Sequence, residues 1–203
     1  MLVYVATKNA GKLRELREMF ARSGWQLETF AGYVDVAEGE HSYAENAALK
    51  ARALRAQLLA AGTHAAVIGD DSGLEVAALG GRPGVLSARY GGEGASWSER
   101  RHALLRELAA TGDGERRGRF VCAIHFIDAD GSELAVERDL PGRIATEERG
   151  EQGFSYDPIF MCEPRGHTFG ELAEQEKNAV SHRALAVEAL LDAYGARRSE
   201  ASH

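Results

Sequence analysis

The first part of the chain alternates short apolar runs with apolar stripes at helical spacing. Residues 2–6 form an apolar run typical of a β-strand, a polar loop follows at 7–11, and apolar residues then recur at helical spacing until Gly24. A second β-prone run spans 25–30. The pattern predicts a strand, a loop, a helix and another strand.

A second helix and an acidic segment follow. Ser42 and Glu45 have the spacing of a helical capping box, and apolar residues follow them at helical spacing up to a terminating glycine. Residues 65–69 form an apolar run that leads into the acidic segment 70–73, and an extended pattern resumes at 74–79. We therefore predict a buried strand that ends at the acidic segment.

The second half of the chain predicts a helix, a β-hairpin and a last helix. Ser96 and Glu99 repeat the capping-box spacing ahead of a leucine stripe. Two β-prone runs at 120–127 and 133–140 flank a turn, and a final apolar stripe is closed by Gly195.

These elements predict an α/β protein with a mixed central β-sheet flanked by helices, and two lobes with an active-site cleft between them. We assign residues 1–195 to a single domain and expect a polar, disordered tail at 196–203.

Charge and composition narrow the functional class. The 203 residues carry a formal net charge of −7, which disfavours a nucleic-acid partner. No apolar run approaches the roughly 20 residues of a membrane span, and no signal peptide is evident, so we expect a cytoplasmic protein without a membrane partner. Cys122 and Cys162 lie in apolar surroundings without the spacing of a zinc site, which predicts buried thiols.

Lysine is rare in this chain. Only Lys8, Lys12, Lys50 and Lys177 occur among 24 basic residues. A lysine ammonium is a compact point charge that suits phosphate oxygens. Lys50, inside a predicted helix beyond the acidic loop, serves as an internal comparison for the others.

The loop between the first strand and helix is a candidate phosphate site. It consists of Thr7, Lys8, Asn9, Ala10, Gly11 and Lys12. Backbone amides at a helix start favour an anion, although the spacing is not that of a Walker A loop. An ordinary turn with solvated lysines is the alternative interpretation.

The acidic segment is a candidate metal site. Adjacent strand residues point to opposite faces, so one of Asp70 and Asp71 can face a crevice while the other braces the structure. Carboxylates presented singly, with room for water and phosphate, suit Mg²⁺, and Glu38 or Glu40 can supply a second one. The alternative is a tight turn capped by aspartate.

Two further segments carry candidate binding residues. The loop 153–158 holds Phe154 and Tyr156, which can stack on a nucleobase or lie in the core. Near the last helix, Ser181 can cap the helix start, with His182 and Arg183 in the first turn. Cations there oppose the helix dipole, which favours a bound anion or base carbonyl over a solvated surface.

Taken together, these segments resemble the inosine triphosphate pyrophosphatase family, hydrolases of non-standard purine nucleoside triphosphates. The shared features keep their order over most of the chain. They are the Thr-x-Asn-x-Gly-Lys loop at 7–12, Glu45-Asn46-Ala47 with Leu49-Lys50-Ala51, Asp-Asp-Ser-Gly-Leu at 70–74, the segments 80–84 and 87–90, Gly-Phe-x-Tyr-Asp-Pro-Ile-Phe at 153–160, and Glu176-Lys177 ahead of 181–183.

The resemblance implies a homodimeric enzyme that uses Mg²⁺ to cleave the bond between the α- and β-phosphates of ITP, dITP or XTP, releasing the monophosphate and pyrophosphate. By position, Asp71 matches the family's proton acceptor, which also binds metal. The family's substrate-binding segments match Thr7, Lys8, Asn9, Ala10, Gly11, Lys12, Ser72, Phe154, Ser155, Tyr156, Asp157, Lys177, His182 and Arg183. Donors from His182, Arg183 or backbone amides are expected to select the 6-keto oxygen.

Two departures from the family pattern affect this assignment. The acidic loop is shorter than the family's Glu-rich stretch, so Glu38 is taken as the second metal ligand with Glu40 as the alternative. Ser155 replaces the usual glycine of its loop.

Two other functions also fit parts of the pattern: a non-catalytic nucleotide-binding regulator and a Mg²⁺-dependent monophosphate phosphatase. The carboxylates around Asp71 argue against the regulator, because extra negative charge does not help a protein to bind a polyanion unless a metal intervenes.

Overall fold

The protein is an α/β structure organised on one sheet. The computed structural model describes residues 1–112, 114–162 and 166–200. Its strands are β1 (Leu2–Val5), β2 (Gln26–Glu28), β3 (Ala66–Val76), β4 (Pro83–Gly84), β5 (Arg117–Ile127), β6 (Glu133–Ile144) and β7 (Phe160–Met161). Its helices are α1 (Ala10–Phe20), α2 (Tyr43–Ala60), α3 (Trp97–Ala110), α4 (Glu174–Asn178) and α5 (His182–Glu200).

The sheet is mixed, as predicted. Its strand order is β2-β1-β3-β5-β6-β7, with β4 beside β3. β1 pairs in parallel with β2 and β3, whereas β4 and β7 pair antiparallel with β3 and β6. The hairpin of β5 and β6 is present, so the predicted α/β class with flanking helices is confirmed.

The described chain divides into two compact units. Unit 1 contains Met1–Asp71 and Cys122–Arg138 together with the C-terminal segment from His182, and unit 2 contains Ser72–Val121 and Asp139–Ser181.

The core of unit 1 lies between β1, β3, β5 and the helices α1 and α5. Its fully buried side chains include Val3, Val5, Leu16, Phe20, Ile68, Ile124, Phe126 and Leu190. Trp25 closes one end, with its ring centroid about 5 Å from those of Phe20, Phe126 and Tyr194. These contacts fix α1 and α5 against the strands and so position the residues at their N-termini.

The core of unit 2 is rich in phenylalanine. Phe120, Phe160 and Phe169 pack with ring centroids 4.4–6.2 Å apart. Leu74, Val76, Leu104, Ile144 and Tyr156 complete this core. Cys122 in unit 1 and Cys162 in unit 2 are buried thiols, as the sequence predicts.

Capping side chains start α2 and α3 where the sequence predicts. Ser42 accepts a hydrogen bond from the Glu45 amide, and Ser96 forms a complete capping box ahead of α3. Asn9, for which no capping role was predicted, accepts from the Lys12 amide at the start of α1. None of the described helices is long and apolar enough to cross a membrane.

The predicted end of the last helix is wrong. α5 continues through Gly195 to Glu200, and residues 201–203 lie outside the described part. A glycine ends a helix by adopting the left-handed conformation, and Gly195 keeps the helical one.

We expect an acid-sensitive contribution to stability from the hairpin of unit 1. Arg52 donates to Glu133 at 2.8 Å and His125 Nε2 lies 2.8 Å from the same carboxylate, which lowers the pKa of Glu133 from 4.5 to about 2. A carboxyl group whose pKa is lowered by folding stabilises the folded state at pH values above 4.5. This stabilisation is lost as the pH falls towards 2.

Glu133→Gln should therefore lower the free energy of unfolding at pH 7 by about 0.5 kcal/mol, because the ion pair is half-exposed, and should flatten the acid dependence. Urea unfolding from pH 7 to pH 3 measures this. Glu137→Gln, at an exposed position of the same strand, is the matched control. An acid dependence identical in Glu133→Gln and the wild type contradicts the expectation.

Candidate functional site

The acidic pair lies inside a strand rather than at its end. β3 runs without interruption from Ala66 to Val76, so the predicted strand end at residues 70–73 is wrong, and so is the alternative of a tight turn there. Asp70 and Asp71 are both buried, and Ser72, the next residue of the strand, is half-buried. The strand continues because the segment 74–76 pairs with β4 and packs its apolar side chains in unit 2.

A glycine lets α2 approach β3 directly before the acidic pair. A Cβ atom added to Gly69 would lie 2.0 Å from the carbonyl oxygen of Ala47 and 2.7 Å from the Ala51 amide. Only glycine therefore permits this packing. The close approach brings Asn46 and Lys50, one helical turn apart on the buried face of α2, against Asp71.

Both carboxylate oxygens of Asp71 are held. Lys50 Nζ donates to Oδ1 at 2.9 Å, and Asn46 Nδ2 donates to Oδ2 at 3.1 Å. Burial raises the pKa of Asp71, and the positive charge of Lys50 opposes that rise. The result is an oriented carboxylate whose proton affinity exceeds that of a solvated aspartate.

The acidic loop is attached to the same pair of α2 side chains. Lys50 Nζ forms a second ion pair with Glu38. Asn46 accepts from the Gly39 amide at 2.8 Å and donates to the Gly39 carbonyl at 3.2 Å. Although burial opposes the charge on Lys50, Asp71 and Glu38 raise the pKa of its ammonium. Two carboxylates from distant parts of the sequence therefore share one cation.

Lys50 is the main residue that the sequence analysis misplaced. The sequence predicts a position outside the site, whereas the structure puts the Lys50 ammonium between Glu38 and Asp71. Asn46 was given no role. The available signal was the polar pair at i and i+4 on a helix face that is otherwise buried and apolar.

Asp70 faces the opposite way from Asp71, as strand alternation predicts. It forms ion pairs with Lys12 and with Arg183 Nε, which lies 3.3 Å from Oδ2, and the thiol of Cys122 donates to Oδ2 at 3.3 Å. Although burial opposes it, Lys12 and Arg183 hold the pKa of Asp70 well below its ordinary value. Arg183 also pairs with Glu15.

This network shows a structural role for Arg183, in addition to the binding role that the resemblance implies. Its side chain is 2% exposed and holds the start of α5 to α1 and β3 through Glu15 and Asp70. Lys12 remains 17% exposed, so it can contact a ligand while it pairs with Asp70. His182 is buried at the helix start.

The predicted phosphate loop borders a cavity of about 320 Å³ in unit 1. Lys8, Asn9 and Ala10 are exposed there, and the loop is held by Thr7 Oγ1, which accepts from the Asn9 amide at 3.1 Å. Further lining comes from Leu13, Thr29, Phe30, Ala31 and Tyr33, of which the sequence analysis predicted none. Leu13 belongs to α1, whereas the other four follow β2. Since β2 runs parallel to β1, the ends of these two strands meet at one edge of the sheet.

In unit 2 the aromatic loop is built around Asp157. Its Oδ2 accepts from the Phe154 amide at 2.7 Å and from Lys177 Nζ at 2.5 Å. Lys177 is buried and lies 4.8 Å from the Phe154 ring centroid. Asp157 therefore joins the loop to the lysine of α4.

The two aromatic residues of this loop differ. Tyr156 is fully buried and donates to the Ser87 carbonyl at 3.0 Å, so of the two alternatives left open by the sequence it lies in the core. Phe154 is half-buried, which leaves part of its ring accessible.

No cluster of three or more His, Cys, Asp or Glu side chains that could hold a metal occurs in the described residues. The donor set of Asp71 and Glu38 nevertheless fits Mg²⁺, which binds proteins through one or two carboxylates and completes its shell with water and phosphate oxygens.

Comparison with known proteins places the chain in a family. The Ham1 family model matches residues 3–193. A dITP/XTP pyrophosphatase of Geobacillus kaustophilus is 46% identical over 188 residues, which cover 91% of this chain and 90% of that protein. One from Thermus thermophilus is 44% identical over 197 residues, covering 96% and 92%. A HAM1 protein from Coxiella burnetii has a solved structure with a TM-score of 0.85 and 35% identity, covering 96% of this chain and 98% of its own. These matches confirm the resemblance seen in the motifs, and the chain belongs to the Ham1 family.

Proposed function

We propose that the protein hydrolyses non-standard purine nucleoside triphosphates (ITP, dITP and XTP) to the monophosphate and pyrophosphate. The main support for the proposal is the buried carboxylate of Asp71, which accepts hydrogen bonds from Asn46 and Lys50. The same Lys50 ammonium also forms an ion pair with Glu38. Family membership supports it, since relatives with over 40% identity are named dITP/XTP pyrophosphatases.

The proposal assigns Mg²⁺ to Asp71 and Glu38. A bound Mg²⁺ neutralises phosphate charge and orients the phosphate chain. The shared ion pair with Lys50 favours Glu38 over Glu40, because it shows that the Glu38 side chain reaches the same cation as Asp71.

The chain's own residues then have distinct tasks. Asp71 orients the attacking water and accepts its proton, and Lys50 keeps that carboxylate ionised despite burial. Lys12 and the amides of residues 7–12 bind the phosphates that depart as pyrophosphate. Lys177 is assigned to the same phosphates through the resemblance. Its ion pair with Asp157 partly neutralises the positive charge that it presents to them.

Base selection is assigned to the aromatic loop and to the start of α5. Phe154 stacks on the purine, while Ser155, Asp157 and Ser72 contribute through their backbone or polar atoms. Through the resemblance, His182 and Arg183 supply donors for the 6-keto oxygen, which adenine lacks. The proposal includes a homodimer, to be measured by light scattering, that acts on the cytoplasmic nucleotide pool.

Lys50→Met should lower kcat for ITP about 100-fold with the fold retained. The variant keeps the aliphatic stem but removes the cation between two carboxylates, so protonation of Asp71 becomes easier and the proton acceptor is lost. Steady-state kinetics from pH 6 to pH 10 should show partial recovery at high pH. Arg52→Met, at an exposed cation of the same helix, is the control. A kcat within threefold of that of the control would show that Lys50 does not support catalysis.

An assay of product release tests the function itself. ITP, dITP, XTP, GTP and ATP are supplied with Mg²⁺, and we expect pyrophosphate from the first three at rates at least about tenfold above the other two, with loss on addition of EDTA. Orthophosphate from nucleoside monophosphates points to a phosphatase. Binding without any product points to the regulator.

A further inference from the structure

The aromatic loop of unit 2 contains one residue in an unfavourable backbone conformation. Ser155 has φ of 60°, and among the described residues it is the single non-glycine residue with a positive φ. A residue with a Cβ atom pays a conformational cost there that glycine does not. The surrounding structure must hold the loop in this state.

The contact that holds Ser155 comes from α3. Arg101 donates through one guanidinium nitrogen to the Ser155 carbonyl oxygen at 2.7 Å and through another to Glu148 at 2.8 Å. The Arg101 side chain is 13% exposed. Ser98 and His102, from the first two turns of the same helix, approach the second oxygen of Glu148 at 3.5 Å and 3.6 Å. Glu148, held in this way, therefore fixes the orientation of the Arg101 guanidinium that donates to the loop.

The neighbouring residues of the loop are fixed by other means. Tyr156 packs edge to face on Trp97 with ring centroids 5.5 Å apart, and Asp157 binds the Phe154 amide. These contacts fix the loop on both sides of Ser155 but do not set the direction of the Ser155 carbonyl. That direction follows from the left-handed conformation, and the carbonyl accepts from Arg101.

We propose that Arg101 is a positioning residue that holds Ser155 in the left-handed conformation and thereby presents the accessible part of Phe154 to the purine base. The inference rests on the proposed function and deepens it, because it identifies what orders the base-binding loop. Arg101 does not touch the substrate in this proposal. It acts through Ser155.

Arg101→Ala should raise KM for ITP about tenfold and change kcat by less than threefold, because the chemical step at Asp71 is untouched. Ser155→Gly in the Arg101→Ala background should restore most of KM, since glycine reaches a φ of 60° without the cost. Arg101→Lys should fall in between, because one ammonium cannot reproduce the planar fork. Arg106→Ala, at an exposed arginine of the same helix, is the matched control.

Amide hydrogen exchange of residues 153–157 supplies a readout that does not depend on turnover. We expect faster exchange in Arg101→Ala than in Arg106→Ala. If the wild type hydrolyses no nucleoside triphosphate, the proposed function fails, and the exchange result still decides whether Arg101 orders the loop. An unchanged KM in an active enzyme, a raised KM that Ser155→Gly does not lower, or unchanged exchange each overturns the inference.

Discussion

Asp71→Asn should lower kcat for ITP by at least about 10³-fold while the protein stays folded. An amide neither accepts the water proton nor binds Mg²⁺ strongly, and the two effects act on the same step. The fold is retained because Asn keeps the size of Asp and can still accept from Lys50, so we expect the free energy of unfolding to change by less than about 2 kcal/mol.

The measurement is a single-turnover assay together with urea unfolding of the same preparation. Glu75→Gln makes the same carboxylate-to-amide change four residues further along β3, outside the proposed site, and should keep near-normal activity. Asp71→Asn activity within tenfold of that control shows that the proton acceptor lies elsewhere.

Asp70→Asn, in contrast, should mainly affect stability, lowering the free energy of unfolding by about 3–5 kcal/mol. The change removes one of the two carboxylates that pair with buried Arg183, and it also leaves Lys12 with less compensating negative charge. Loss of one partner from a buried ion-pair network is costly because the remaining charges stay desolvated.

Urea unfolding measures this loss, with Asp139→Asn at an exposed position of β6 as the matched control, for which we expect a change below about 0.5 kcal/mol. An Asp70→Asn variant as stable as the control contradicts the assignment of Asp70 to the fold. We therefore expect Asp70 to contribute to stability and Asp71, its neighbour in the strand, to contribute to catalysis.

The longer strands and the starts of α2 and α3 could be predicted from sequence because they depend on local signals. Apolar spacing, and the capping residues Ser42 and Ser96, act within a few positions of the elements that they define. The alternation of Asp70 and Asp71 followed from strand geometry even though the predicted strand end was wrong.

The surroundings of Asp71 could not be predicted because they depend on tertiary packing. The position of Lys50 requires the close approach of α2 at Gly69, which no local pattern reveals. Arg183 likewise has the same sequence signal whether or not it faces a buried carboxylate, and its pairing with Glu15 and Asp70 depends on the packing of α1, β3 and α5.

The phosphorus atom that water attacks is the most direct test of the proposed reaction. Hydrolysis of ITP in ¹⁸O-labelled water with Mg²⁺ is followed by mass spectrometry of both products. We expect one labelled oxygen in inosine monophosphate and none in pyrophosphate, because Asp71 directs water to the α-phosphorus while the loop at 7–12 holds the leaving group. Label in pyrophosphate, or release of orthophosphate in its place, contradicts it.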